Sequence, residues 1–220
     1  PADLENTLAN MISGSFSYQK QVRINMLRGD LQSAIQAGLP EVILRSADQI
    51  LAVDPADTIA IQAKLYVLNG NQRPDLANVF VEDCSKKSPQ DVRLRILLLN
   101  TLGENGNRQG FQNAFKAAVN DFKKEPGALL RILGFSFQNA PFGWIPLKEA
   151  ADAAQIACQV GSGRIGRREA FQLEISARIA YLTGNLEQAV QLQTRAAEYP
   201  DGNADAMLQY FQSALDLQKK

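Results

Sequence analysis

The sequence predicts an all-α chain, a right-handed stack of about ten to twelve helices folded into hairpins. Three observations carry that expectation. Apolar residues recur three and four positions apart, and no segment alternates as a half-buried strand would. A Gly-Asp or Gly-Asn dipeptide recurs at Gly29-Asp30, Gly70-Asn71, Gly106-Asn107 and Gly184-Asn185. Gaps of 41, 36 and 78 residues separate these glycines. The last gap is close to two units, which predicts a fifth corner near residue 145, in the Gly-Pro-rich "NAPFGWIPLKEA" around Gly143.

The dipeptide has a physical rationale. Glycine takes the positive φ that ends a helix in a tight turn, and the Asp or Asn after it accepts a backbone N–H of the next helix. "LRGDLQSAI" from Leu27 and "LTGNLEQAV" from Leu182 share one template, down to the Ala and the β-branched residue that follow. On that template Arg28-Gly29-Asp30 reads as a structural corner rather than an adhesive tripeptide.

Taken in order, "ADLENTLANMI" reads as an opening amphipathic helix and "SGSF", Ser13 to Phe16, as a link. Residues 1–17 are therefore set apart from a repeat domain over 18–220. In "TIAIQAKLYVLNG", Ile59, Ala63, Tyr66 and Val67 share one side, and Pro74 interrupts the second helix expected after it. "VRLRILLLNTLGENG" is more apolar and is expected to lie deeper. "GFQNAFKAAVNDFKKEPG" is amphipathic through Phe111, Ala114, Phe115, Ala118 and Phe122, with Lys123 and Lys124 suited to the negative end of the helix dipole. In "REAFQLEISARIAYLTG", Ala170, Leu173, Ala177, Ala180 and Tyr181 follow helical spacing; Leu186, Ala189, Val190, Gln193 and Ala197 continue it past the corner, and Pro200 closes the pair. The tail "DGNADAMLQYFQSALDLQKK" reads as a capping helix.

Composition excludes several classes of function. The 220 residues are 45% hydrophobic, ordinary for a globular chain. Lys plus Arg equals Asp plus Glu, 23 each, which argues against nucleic acid or an anionic membrane as partner. No apolar run is long enough to span a bilayer. Histidine is absent, which removes the commonest general base and metal ligand. Cys84 and Cys158 lie far apart among small and apolar residues and read as buried free thiols, leaving cytoplasmic and periplasmic settings both open. No cofactor or metal is expected. The start at Pro1 reads as a piece of a longer precursor.

The corners resemble the tetratricopeptide repeat. The best copy runs from about Glu169 to Asp201, where Ala177, Gly184, Ala189 and Ala196 stand at the family's small packing positions. The Leu51–Asn71 copy is weaker, with Asp54-Pro55 at the hairpin end and Ala63 seven residues before Gly70; around Gly106, Leu99 and Phe111 replace the small residues. A second resemblance lies in "PADLENTLANMISGSFSYQKQV". Pro1, Leu4, Leu8 and the "SGSF" link look like the exit from a thioredoxin-like domain in bacterial redoxin proteins that end in helical repeats. That resemblance implies the C-terminal accessory or dimerising region of a thiol–disulfide oxidoreductase, with redox cysteines upstream of Pro1 rather than at Cys84 or Cys158.

No catalytic constellation converges. Glu82 and Asp83 are adjacent, so about 100° of helix rotation separates them, and with Asp152 they read as solvated acids. "QVGSGRIGRREAF", with Arg164, Arg167 and Arg168, lacks a preceding strand or a phosphate-loop pattern and reads as a helix-to-helix loop. "FSFQNAPFGWIP" gathers Phe135, Phe137, Phe142 and Trp144, which more often pin a long loop to the core than anchor a partner. The expected role is a non-catalytic interaction module. In stacked repeats the first helices line the concave surface, so the groove candidates are Phe171, Glu174, Arg178 and Tyr181, with Lys64 placed as the equivalent of Arg178, six residues before its corner glycine. The two cations suit a carboxylate on a bound polypeptide. A homodimer or an upstream thioredoxin-like domain are the other partners the sequence suggests.

Overall fold

The computed structural model describes residues 18–141, 143–157, 167–199 and 204–218. These residues form eleven helices and no strand. The helices are α1 (Tyr18–Gln36), α2 (Pro40–Val53), α3 (Thr58–Gly70), α4 (Pro74–Lys87), α5 (Val92–Glu104), α6 (Arg108–Asp121), α7 (Pro126–Asn139), α8 (Leu147–Ala157), α9 (Arg167–Leu182), α10 (Leu186–Ala196) and α11 (Ala204–Gln218). They pair as five hairpins followed by one closing helix, in agreement with the all-α hairpin fold read from the sequence. The chain divides into two compact units, Pro1–Ser88 and Pro89–Lys220. The expected opening helix and link over 1–17 lie outside the described residues.

Four of the five hairpins turn through one repeated hydrogen-bond pattern. At Gly38, Gln72, Gly106 and Gly184 the backbone has positive φ, from 56° to 85°. Each donates its N–H to the carbonyl three residues back, and the next residue donates to the carbonyl five behind itself: Gly38 to Ile35 and Leu39 to Ala34, Gln72 to Asn69 and Arg73 to Leu68, Gly106 to Gly103 and Asn107 to Leu102, Gly184 to Tyr181 and Asn185 to Ala180. This is the Schellman closure, which satisfies the last carbonyls of the first helix. The first three corners fall at 38, 72 and 106, a spacing of 34 residues that matches the tetratricopeptide period.

Two of the expected corners move. Gly29-Asp30 is not a turn; Gly29 lies inside the 19-residue α1. A lone helical glycine costs only about 1 kcal/mol, and burial of Ile24, Leu31 and Ala34 along one stripe carries the helix through it. The actual corner is Gly38, where Pro40 opens α2. Gly70 is the last residue of α3, and the positive φ falls two residues later at Gln72. Pro74 does not interrupt the second helix but starts it, since its missing N–H belongs to an unpaired first turn. Asn107 and Asn185 do cap as expected, accepting from the N–H groups of Gly110 and Gln188. The break around Gly143 is also present, as the loop between α7 and α8.

Counted from these corners, equivalent positions bury equivalent side chains. Seven residues before them stand Leu31, Leu65, Leu99 and Ala177, and five after them Ile43, Ala77, Phe111 and Ala189, all buried. Twelve after stand Ile50, Cys84, Ala118 and Ala196, also buried. Cys84 is thus one of the small residues packed at a hairpin's far end, and burial pushes its thiol pKa up. Cys158 lies outside the described residues.

Within the first unit α3 packs against both α1 and α2. Its core joins Leu31 and Ala34 to Ile43, Ala47, Ile50, Ala60, Ala63 and Val67. Asp57 ties the hairpins together: its fully buried carboxylate accepts from Ala60 N–H at 2.9 Å, capping α3, and from Arg28 of α1 at 2.7 Å and 3.0 Å. Arg28 therefore serves the fold as a link to Asp57. Within the second unit the same packing recurs, α7 against α5 and α6, and α9 against α7 and α8. Within each unit, the first helix of a following hairpin packs on both helices of the one before, the arrangement of stacked helical hairpins of the tetratricopeptide kind.

Candidate partner-binding groove

α9 forms one wall of the site. It is packed on four sides, by α7, α8, α10 and, more lightly at its C-terminal end, by residues of α11. Burial consequently claims Ala170, Leu173, Ala177 and Ala180, as expected, and also Gln172, Ile175 and Ile179. Gln172 is buried without orphaning its amide, because it donates to the Ala157 carbonyl at 2.8 Å. Phe171 lies against α7, where Gly134 gives it room: a Cβ at Gly134 would stand 2.7 Å from the Phe171 ring.

Near the end of α9 the packing opens into a cavity of about 520 Å³. Its walls are Phe137, Ala140, Pro141, Gly143, Ile145 and Leu147 from α7, its loop and α8; Arg178, Tyr181 and Leu182 from α9; and Met207, Tyr210 and Phe211 from α11. Tyr181 stacks on Phe211 with ring centroids 4.9 Å apart, and its hydroxyl lies 3.0 Å from that of Tyr210. That hydrogen bond, with some burial, holds the Tyr181 hydroxyl above the usual tyrosine range. Arg178 is the one charged residue among the described residues of the lining, and its guanidinium makes no hydrogen bond or ion pair with a described residue. A cation and two hydroxyls on an apolar wall can hold a carboxylate by charge-assisted hydrogen bonds.

The loop carrying the aromatic cluster is pinned to the core. Trp144 meets Phe111 edge-to-face at 5.9 Å, and Arg108 donates to the Gly143 carbonyl at 2.8 Å. Lys116 and Glu149 add an ion pair at 3.1 Å. Phe142 lies outside the described residues, as does the stretch 158–166 with Arg164.

Of the five sequence candidates, Arg178 and Tyr181 line this cavity; Glu174 and Phe171 are half-buried one and two turns earlier on α9 and do not. Lys64 belongs to the first unit, where its ammonium bonds Asp48 at 2.6 Å and lies 4.8 Å over the Phe80 ring. The equivalence drawn between Lys64 and Arg178 is corrected by the corner at Gln72. Six residues before that corner stands Tyr66, which is 72% exposed; Lys64 is two residues out of register. Sequence reading missed Phe137, Met207, Tyr210 and Phe211 as site residues. The signal was there in part, since Met207, Tyr210 and Phe211 form an i, i+3, i+4 stripe on the closing helix.

The adjacent acids considered for chemistry are tied up in ion pairs. Glu82 and Asp83 pair with Lys86 and Lys87 one helical turn on, at 2.8 Å and 2.7 Å. Among the described residues no three His, Cys, Asp or Glu side chains gather as a metal site, and no helix is long and apolar enough to cross a membrane.

The repeated corner and the hairpin-on-hairpin packing define a tetratricopeptide-like helical protein. No family model and no curated protein matches the sequence. Among solved structures, a crystal structure of MamA protein aligns at 12% identity and a TM-score of 0.48, covering 80% of this chain and 90% of that one.

Proposed function

We propose that this chain is a non-catalytic protein-interaction module, residues 18–220, and that a partner polypeptide sets an apolar side chain in the groove lined by α7, α9 and α11. The observation that carries this reading is Arg178, a cation without an ionic partner among the described residues, on the wall of an aromatic-lined cavity whose other described residues are uncharged. Aromatic walls give affinity, and a lone guanidinium gives orientation toward an acidic group on the partner. Phe171 and Glu174 continue the α9 face, and Lys64 with the exposed Tyr66 offers a contact surface in the first unit.

A second reading rests on the opening residues, whose likeness to the exit of a thioredoxin-like domain would make this chain the accessory or dimerising region of a thiol–disulfide oxidoreductase. The buried, raised-pKa thiol of Cys84 supports assigning any redox cysteine elsewhere.

The test is selection of binding peptides from a random display library on the whole chain, followed by titration of a selected peptide. The reading predicts at least a tenfold loss of affinity with Arg178→Glu. Full affinity in that variant, with a loss in Lys64→Glu instead, would move the site to the first unit.

A further inference from the structure

The described polar side chains of the groove are few and gathered at one end of α9. Among the described residues of its lining no side chain is an amide, a carboxylate or an aliphatic alcohol, so these offer few partners for the N–H groups of a peptide backbone. Its polar equipment is gathered instead on Arg178 and the Tyr181–Tyr210 pair. Arg178 and Tyr181 are three residues apart on α9 and hence neighbours on one face. Of the two tyrosine protons, one makes the hydroxyl–hydroxyl bond and the other is left for a ligand. The remaining wall is apolar and adaptable: Phe137, Ile145, Leu182 and the flexible Met207. A volume of about 520 Å³ falls in the range of small-molecule sites, roughly 300–1,000 Å³.

We propose that this cavity binds a small amphipathic monocarboxylate of the fatty-acid class, its carboxylate on Arg178 and the tyrosine hydroxyls and its hydrocarbon along the apolar walls. Charge complementarity selects the head group, because the described residues of the lining carry one positive charge and no negative one. One head group matches one polar cluster, and the tail leaves no polar group to be buried without a partner. Such a ligand would compete with a polypeptide for the groove, but its binding holds or fails independently of the partner reading.

Calorimetric titration of the whole chain with sodium decanoate tests this, with decylammonium as the probe of equal tail and opposite head. Decanoate should bind saturably at one site per chain and decylammonium at least tenfold more weakly. Arg178→Gln should lower decanoate affinity at least tenfold, and Met207→Trp, which fills the cavity, should abolish binding. Equal affinity for the two head groups, undiminished binding in both variants, or no saturable binding would each overturn the proposal. Should a variant fail to fold, the head-group comparison on the unaltered chain decides. A chain that binds decanoate but no selected peptide keeps this inference and loses the partner reading; the reverse outcome does the opposite.

Discussion

Gly29 and Gly106 stand in similar dipeptides, Gly-Asp and Gly-Asn, yet the backbone treats them in opposite ways. Gly106 has φ +69° at a corner, while Gly29 is helical with open space around a would-be Cβ. Gly29→Ala should therefore stabilise the protein by about 0.5–1 kcal/mol, the backbone entropy a helical glycine forfeits. Gly106→Ala should destabilise by roughly 1–2 kcal/mol, because an L-residue with a Cβ resists the left-handed region. Paired denaturant titrations check both signs; equal signs would reject the corner register. This contrast also shows what was legible at this scale. Corners written Gly-Asn, at Gly106 and Gly184, carry both the free φ and the capping side chain and are readable. The corner at Gln72 uses a non-glycine, and at Gly38 and Gln72 the following Leu39 and Arg73 make no side-chain cap. Their signal is instead the proline at the start of the next helix.

Seven of the eleven helices begin through one of two devices, a proline in the first turn (α2, α4, α7) or an acidic or amide cap (α3, α5, α6, α10). Asp91 shows the second. Its carboxylate accepts from Arg93 N–H at 2.9 Å to cap α5 and from the Arg93 guanidinium at 2.6 Å. Burial pushes the Asp91 pKa up, but these bonds outweigh it and hold the carboxyl below its ordinary 3.8. The folded value lies below the unfolded one, so the stabilisation is full above about pH 3.8 and is lost as pH falls through the folded pKa. Asp91→Asn retains a capping group but not the charge. Its deficit in melting temperature should be largest at pH 5 and above and should shrink below pH 3.8, as seen by thermal denaturation. A deficit independent of pH would mean the charge contributes nothing. Helix existence was legible where apolar spacing is strong, as in α6 and α10, and less so in α1, whose weak periodicity let Gly29 read as a corner. The burial of α9 on nearly all sides was not, since a one-sided pattern cannot announce how many neighbours a helix will meet.

At the scale of the whole molecule, a register set by repeated corners brings the same positions into four of the five hairpin cores, which is why Cys84, Ala118 and Ala196 play one part. The site follows from where that repetition ends. α11 sets Met207, Tyr210 and Phe211 beside α9, and the longer loop after α7 adds the far wall. Arg178 and Tyr181 were legible as first-helix residues facing away from the hairpin core. The other walls were not, because they come from segments distant in sequence that only the packing of α7 and α11 brings together. The central claim is that this cavity is where a partner is held. A photo-crosslinking residue, p-benzoylphenylalanine, placed at Tyr210, which is 55% exposed on the groove, or at Leu217, 71% exposed on the same helix but not in the lining, tests it most directly. With a peptide selected on the unaltered chain, the account predicts an adduct from position 210 and none from 217. An adduct from 217 with none from 210 would contradict it.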